Sequence, residues 1–72
     1  MSKTIYVEQI LHNYQLAGTG IAFTSKKKAA DHLRAIKSEQ RNVRGFSAEE
    51  LWIVYEISNT VVQINFQETE LL

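Results

Sequence analysis

The stretch LWIVYEISNTVVQINF, residues 51–66, predicts a β-hairpin. Two runs of β-branched and aromatic residues flank the polar break SNT at 58–60, and such a break between apolar runs is typical of a hairpin turn. We expect Ile57 to lie opposite Val62, because this register places the apolar residues of both runs on one face. A slip of one residue would turn the apolar side chains of one strand to the other face, so the pattern specifies the register.

The predicted register sets Tyr55 opposite Ile64 and Ile53 opposite Phe66. Successive side chains of a strand point to opposite sides of the sheet, so these pairs share one apolar face. The other face of the hairpin is mostly polar and carries one large aromatic residue, Trp52. The remaining segments of the chain can be placed relative to these two faces.

The N-terminal segment TIYVEQILHNY, residues 4–14, combines a strand-like start with apolar residues that recur at helical spacing. We interpret it as a strand, because a two-stranded hairpin needs further strands for stability; a helix is the alternative. Residues 15–20, QLAGTG, are predicted to form a loop whose glycines are free to take positive φ. Residues 19–24 are predicted to form a short strand.

Residues 25 to about 40, SKKKAADHLRAIKSEQ, predict a helix. Ser25 is its expected N-cap. Residues 42–46 are predicted to be a turn, and residues 47–50 a single helical turn because they have capping-box spacing. The apolar stripe of the helix, which can lie on a sheet, consists of Ala29, Ala30, Leu33 and Ile36.

Together these elements predict an α+β fold of ββαββ order, in which one helix packs on one face of a mainly antiparallel four-stranded sheet. The chain makes a single small domain, residues 1–72. The tail, residues 68–72, is predicted to be frayed or to form a ragged strand extension. One helix leaves the second face of the sheet without cover, and the residues that could lie there, depending on register, are Tyr6, Ile10, Trp52, Val54 and Val61.

The composition and the motifs argue against several functions. The chain has no cysteine, which excludes disulfides and thiolate metal sites. No apolar run is long enough to span a membrane and the N-terminus has no signal-peptide pattern, so we expect a cytoplasmic protein. His12 and His32 are isolated, with no metal-ligand spacing and no nucleophile motif. We therefore predict no catalytic residues, no metal, no cofactor and no enzymatic activity.

The net charge is zero, but the two signs are segregated along the chain. Residues 26–44 contain seven basic and two acidic residues, a net +5, whereas residues 45–72 contain five glutamates and no Lys or Arg. Three lysines in the first helical turn oppose the helix dipole, by about 0.3–1 kcal/mol each. The basic helix is either a solvated surface or a nucleic-acid site formed by Lys26, Lys27, Lys28, Arg34, Lys37 and Arg41.

A second candidate site is a protein-binding surface around the hairpin. Trp52, exposed beside Val54, would be a binding hot spot, because tryptophan is enriched at the energetic centres of interfaces; a place in the core is the alternative. The acidic residues either steer a basic partner or imitate phosphates, or serve only solubility. The predicted partner-binding residues are Trp52, Val54, Tyr6, Glu49, Glu50 and Glu56.

Three segments, IYVEQ, GIAFTSKKKAADHL and GFSAEELWIVYEI, resemble small phage and prophage proteins that have a strand, a Ser-Lys-Lys-Lys-Ala helix start and a C-terminal hairpin. In the loose sense this group includes anti-CRISPR and other anti-defence inhibitors. The resemblance implies a protein that inhibits or modulates a host protein or nucleoprotein complex by stoichiometric occlusion, and it transfers no functional residue. The alternatives are a small nucleic-acid-binding protein and a homodimer.

Overall fold

The computed structural model describes residues 3–71, and it shows an α+β fold with one helix on one face of an antiparallel sheet. The elements are β1 (Lys3–His12), β2 (Gln15–Phe23), α1 (Lys26–Glu39), β3 (Val43–Ser47), β4 (Trp52–Ile57) and β5 (Thr60–Leu71). The strand order across the sheet is β2-β1-β5-β4-β3, and each neighbouring pair is antiparallel. The predicted fold class is confirmed, but the sheet has five strands and not four.

The N-terminal hairpin corrects the predicted loop. β1 is a strand, as predicted, but β2 already begins at Gln15, so the loop expected at 15–20 is wrong. The chain turns at Asn13 and Tyr14, with φ of 51° and 67°, and no described glycine has a positive φ. Asn13 is tied to β5, since its N–H donates to the Val61 oxygen at 2.7 Å. The turn is therefore fixed by contacts with β5 rather than by the glycines.

The additional strand is β3, which takes up most of the predicted turn at 42–46. Phe46 pairs with Ile53 of β4, and this pairing supplies the main-chain hydrogen bonds that stabilise a short edge segment. Residues 48–51 form the turn to β4 and not the predicted helical turn. The capping contact expected there forms within the turn, where the Glu50 N–H donates to Ser47 Oγ at 3.0 Å.

The hairpin of β4 and β5 is confirmed, but its register differs from the predicted one by two residues. Ser58 and Asn59, with φ of 51° and 62°, form a two-residue turn in which both residues have the positive φ of type I′. Because the shift is an even number of residues, each side chain stays on its predicted face. The observed partners are Ile57 with Thr60, Tyr55 with Val62, and Ile53 with Ile64.

The helix matches its predicted bounds and covers one face of the sheet. Ser25 is the N-cap, and its side chain accepts the Lys28 N–H at 3.5 Å. His32 lies against the rings of Phe23 in β2 and Phe66 in β5. Lys37, near the other end of the helix, lies over the ring of Phe46 in β3, so α1 crosses the sheet diagonally. The buried apolar core consists of Ala29, Ala30, Leu33, Leu51, Ile53, Val62, Ile64 and Phe66.

Two residues that could have lain on the uncovered face, depending on register, lie on the covered one. Tyr6 and Ile10 pack against the core, because β1 pairs with β5 in the register that sets Ile10 opposite the buried Ile64. At the other end of the chain, β5 continues through Leu71, so the tail is a strand extension over 68–71. Leu72 lies outside the described residues.

Candidate protein-binding face

The sheet face opposite α1, here called the open face, is not covered by any helix or strand within residues 3–71. Side chains alternate between the two faces along each strand, and cross-strand partners point to the same side, so the pairing register determines which residues lie on the open face. Its margins carry Lys3 at one end and the Arg44–Glu56 ion pair at the other. Between these charges the three central strands present apolar and uncharged polar side chains, namely Ile5, Val7, Gln9 and Leu11, Trp52 and Val54, and Val61, Gln63, Asn65, Gln67 and Thr69.

Trp52 lies on the open face and not in the core. Its ring packs against the main chain of β3 at Gly45, where an added Cβ would come within 2.8 Å of Trp52 Cζ3. Only glycine leaves room for this contact. The ring is half-buried and lies against the neighbouring strand, and its remaining surface is open to a partner.

The centre of the open face is a row of side-chain amides that bind one another across β1 and β5. Asn65 Nδ2 donates to Gln9 Oε1 at 3.2 Å, and Gln9 Nε2 donates to Gln67 Oε1. These amides satisfy part of their hydrogen-bonding capacity without water, which lowers the cost of desolvating them in an interface. The row therefore combines with the apolar residues to form a surface suited to protein contact.

The predicted partner-binding residues are divided among three places: the open face, the covered face and the turn before β4. Trp52, Val54 and Glu56 share the open face, and Glu56 is ion-paired with Arg44. Tyr6 lies on the covered face and packs against the core, so its predicted place on the same surface as Trp52 is wrong. The last two residues of the set, in the exposed turn that precedes β4, are Glu49 and Glu50.

The basic residues of the candidate nucleic-acid site are exposed and are spread along the whole length of the helix. Arg34 is paired with Asp31 at 2.8 Å, and Lys37 lies 4.8 Å from the centre of the Phe46 ring. Arg41 follows the C-terminus of the helix, about 21 Å along its axis from the first turn. Among residues 3–71, the basic side chains of this set that make no ion pair are Lys26, Lys27, Lys28, Lys37 and Arg41.

A partly buried pair that the sequence analysis missed joins β1 to the helix. Glu8 is only 7% exposed, and its Oε2 lies 2.9 Å from His32 Nε2. A bulge in β2 sets two residues opposite Glu8, and Glu8 Oε1 accepts the Ile21 N–H at 3.4 Å. The signal available in the sequence was a single acid among the apolar residues of β1, in the order Tyr6, Glu8, Ile10.

The surroundings of this pair are aromatic. The ring centres of Phe23 and Phe66 lie 5.6 and 5.9 Å from that of His32. Burial raises the pKa of the Tyr55 phenol above its usual value of 10.0, and the nearby Glu8 carboxylate adds to the increase. The pair thus satisfies the buried Glu8 carboxyl, which would be costly to bury without a partner.

Within residues 3–71, no group of three or more histidine or carboxylate side chains is placed to hold a metal ion. A cleft of about 310 Å³ lies between the C-terminus of α1 and the turn after β4, with Arg41 on one side and Ile57 on the other. Helix α1 is too short and too polar to cross a membrane, and the described residues contain no other helix. Comparison with protein-family models, curated proteins and solved structures finds no match for this chain.

Proposed function

We propose that this chain is a non-enzymatic protein-binding module whose open face covers a surface of its partner. The partner is a host protein or nucleoprotein complex in the cytoplasm, and the mode of action is stoichiometric occlusion. This is the kind of anti-defence inhibitor suggested by the sequence resemblance. The observation that supports the proposal best is the open face itself, which is uncharged between its margins and carries Trp52 packed against Gly45.

The composition of the open face supports a protein partner. Interface centres are depleted in charged residues and enriched in aromatic ones. Charged side chains are not disfavoured on a surface that contacts only water. In this chain 22% of residues are charged, yet the described charges of the open face lie at its ends. The contrast between the composition of this face and that of the whole chain supports the proposal of a binding surface.

The size of the open face also suits a stable complex. The two longer dimensions of the molecule are 44 and 23 Å, and an interface in which each partner buries roughly 800 Å² would take up most of a face of that extent. Acidic residues border it, with Glu49 and Glu50 in the turn directly before β4. They would speed the approach of a basic partner surface, while the apolar residues would hold the complex.

A photo-crosslinking experiment tests the proposal. A photoreactive amino acid at Gln63, in the middle of the open face, should crosslink the chain to one protein in the host cell. The same group at Ala35, on the exposed side of α1, serves as the matched control and should not. Crosslinks from both positions to the same set of proteins would contradict the proposal. Crosslinks between two copies of the chain would favour a homodimer instead.

Affinity measurements with the captured protein then test the residues. Trp52→Ala should weaken binding about 30-fold or more, as expected for a hot-spot residue. Because that change also removes the contact with Gly45, Gln63→Lys provides a second variant, which adds a charge to the open face without removing packing. Thermal unfolding followed by circular dichroism checks that both variants are folded. Unchanged affinity in both variants would refute the role of the open face.

The second candidate function, nucleic-acid binding, rests on the exposed lysines of the first helical turn, none of which is ion-paired within residues 3–71. Fluorescence anisotropy of labelled single- and double-stranded oligonucleotides at several salt concentrations tests it. If this function is correct, changing Lys26, Lys27 and Lys28 to alanine reduces the salt dependence by about three released ions. An absence of binding at near-physiological salt would exclude this function.

A further inference from the structure

The C-terminal part of β5, residues 67–71, has a free edge. β4 begins at Trp52, opposite Asn65, and the Leu51 oxygen accepts the Phe66 N–H at 2.9 Å. Beyond Phe66, residues 67–71 pair with β1 on one side, and within residues 3–71 no strand pairs with them on the other. This free side of residues 67–71 is here called the β5 edge. It is the same side of β5 on which β4 pairs with residues 60–65.

The direction of the main-chain groups shows which residues serve the β5 edge. Val61 exchanges hydrogen bonds with Asn13 on the β1 side, whereas the Phe66 N–H points to the β4 side. Main-chain groups of successive residues in a strand point to alternate sides, so the N–H and C=O groups of even-numbered residues of β5 point to the β4 side. The N–H and C=O groups of Glu68 and Glu70 therefore point outward, and both residues are exposed.

We propose that the β5 edge binds an extended segment of a partner protein that has Lys or Arg at alternate positions. This segment adds to the sheet as an antiparallel strand on the side of β5 where β4 pairs. The outward main-chain groups supply the hydrogen bonds of strand addition. The side chains of Glu68 and Glu70 lie beside those of the added strand on the same face. This surface is distinct from the open face, and the inference does not rest on the proposed function.

The charge around the edge selects a basic occupant. Glu49 and Glu50 lie in the turn that ends at Leu51, whose carbonyl is bonded to Phe66 at the base of the edge. Residues 45–72 contain no Lys or Arg, and Glu68 and Glu70 make no ion pair within the described residues. Opposite charges directly across two strands stabilise their pairing.

A second copy of the chain is the less suitable occupant. Antiparallel pairing of two β5 edges would set glutamates opposite glutamates, which destabilises strand pairing. The exposed edge of β2 is interrupted by two register shifts, so it does not present evenly spaced main-chain groups to another strand. The glutamates thus disfavour self-association and leave the edge available to a basic strand.

The test uses the full chain labelled with ¹⁵N and a capped six-residue peptide of alternating Thr and Lys as the probe. At saturating peptide, the amide protons of Glu68 and Glu70 should exchange with solvent at least about tenfold more slowly, as expected when an exposed amide joins a sheet. Changing both glutamates to Gln should weaken binding about fivefold. The matched control Glu39→Gln, at the far end of α1, should leave the affinity unchanged.

Two isomeric peptides separate strand addition from simple charge attraction. In the antiparallel arrangement the Lys residues of the probe direct their N–H groups to β5, because they share a face with the glutamates. Methylation of the main-chain nitrogens of the Lys residues should therefore abolish binding, whereas methylation of the main-chain nitrogens of the Thr residues should not. Equal binding of both isomers, or unchanged amide exchange at Glu68 and Glu70, would overturn the proposal. Protection of these amides by higher concentrations of the protein alone would also overturn it, in favour of self-pairing.

Discussion

Replacing Gly20 by alanine should destabilise the protein through Glu8 and not through the backbone. An added Cβ at position 20 would lie 2.0 Å from Glu8 Oε1 and 3.0 Å from Glu8 Cδ, and the φ of Gly20 is not positive. The carboxyl cannot simply rotate away at no cost, because it is buried and bonded to His32 and to the Ile21 N–H. The clash must therefore break at least one of these bonds.

The size of the effect follows from those bonds. A hydrogen bond to a charged group contributes about 1.5–3 kcal/mol, and the 3.4 Å bond to Ile21 falls at the weak end. Restricting the unfolded chain by a Gly→Ala change offsets about 0.4–1 kcal/mol. We therefore expect Gly20→Ala to lower the unfolding free energy by about 1–2 kcal/mol. That is a measurable part of the roughly 4–11 kcal/mol typical of a domain of this length.

A double-mutant cycle with Glu8→Ala identifies the cause. Without the carboxyl, the nearest remaining atom of residue 8 is its Cβ at 3.5 Å, an ordinary contact. Gly20→Ala should then stabilise the protein by about 0.4–1 kcal/mol, so that the sign of its effect reverses. Gly18→Ala is the matched control, since no atom lies within 4 Å of its added Cβ, and it should be neutral or stabilising in both backgrounds.

The cycle is measured by urea unfolding of all the variants, in one fixed concentration of trimethylamine N-oxide if Glu8→Ala is too unstable in buffer. The two substitutions should show a coupling of about 2 kcal/mol. If Gly20→Ala lowers stability equally in both backgrounds, the interaction between Gly20 and the Glu8 carboxyl is not the cause and the reasoning fails.

Two further predictions concern the β4–β5 hairpin. Burial and the Glu8 carboxylate raise the pKa of Tyr55 in the folded state, so the unfolding free energy should fall as pH rises above about 10. Tyr55→Phe should reduce this fall, whereas Tyr14→Phe, at a residue that is 70% exposed, should not. Equal slopes of unfolding free energy against pH in the two variants would contradict the prediction. Replacing Ser58 and Asn59 by Asn-Gly, the pair preferred in type I′ turns, should raise the unfolding free energy by about 1 kcal/mol and the Tm by about 4–8 °C. A thermal melt checks the second prediction, and an unchanged or lower Tm would show that the positive φ values of this turn are not strained.

The sequence alone determined the elements whose signals are local. The helix begins after Ser25 and carries its apolar residues at helical spacing, and both properties are contained within a few consecutive residues. The alternation of apolar residues in β4 and β5 likewise identified two strands and their faces, including the place of Trp52 opposite the helix. These predictions hold because side-chain direction within one element depends only on its own periodicity.

Only the tertiary structure decided how the elements meet. Residues 15–20 have weak strand propensity and became strand by pairing with β1, and β3 likewise depends on β4. The β4–β5 register followed the two-residue turn at Ser58 and Asn59, which the apolar pattern could not distinguish from a turn that shifts the pairing by two residues.

The features that matter most for function were decided in the same way. Glu8 and His32 are 24 residues apart, and Tyr6 was assigned to the wrong face because the pairing of β1 with β5 could not be known from β1 alone. The free edge at residues 67–71 exists because β5 is twelve residues long and β4 only six. Periodicity within a segment sets which way its side chains point, whereas contacts between distant segments set which of them are covered, paired or left open.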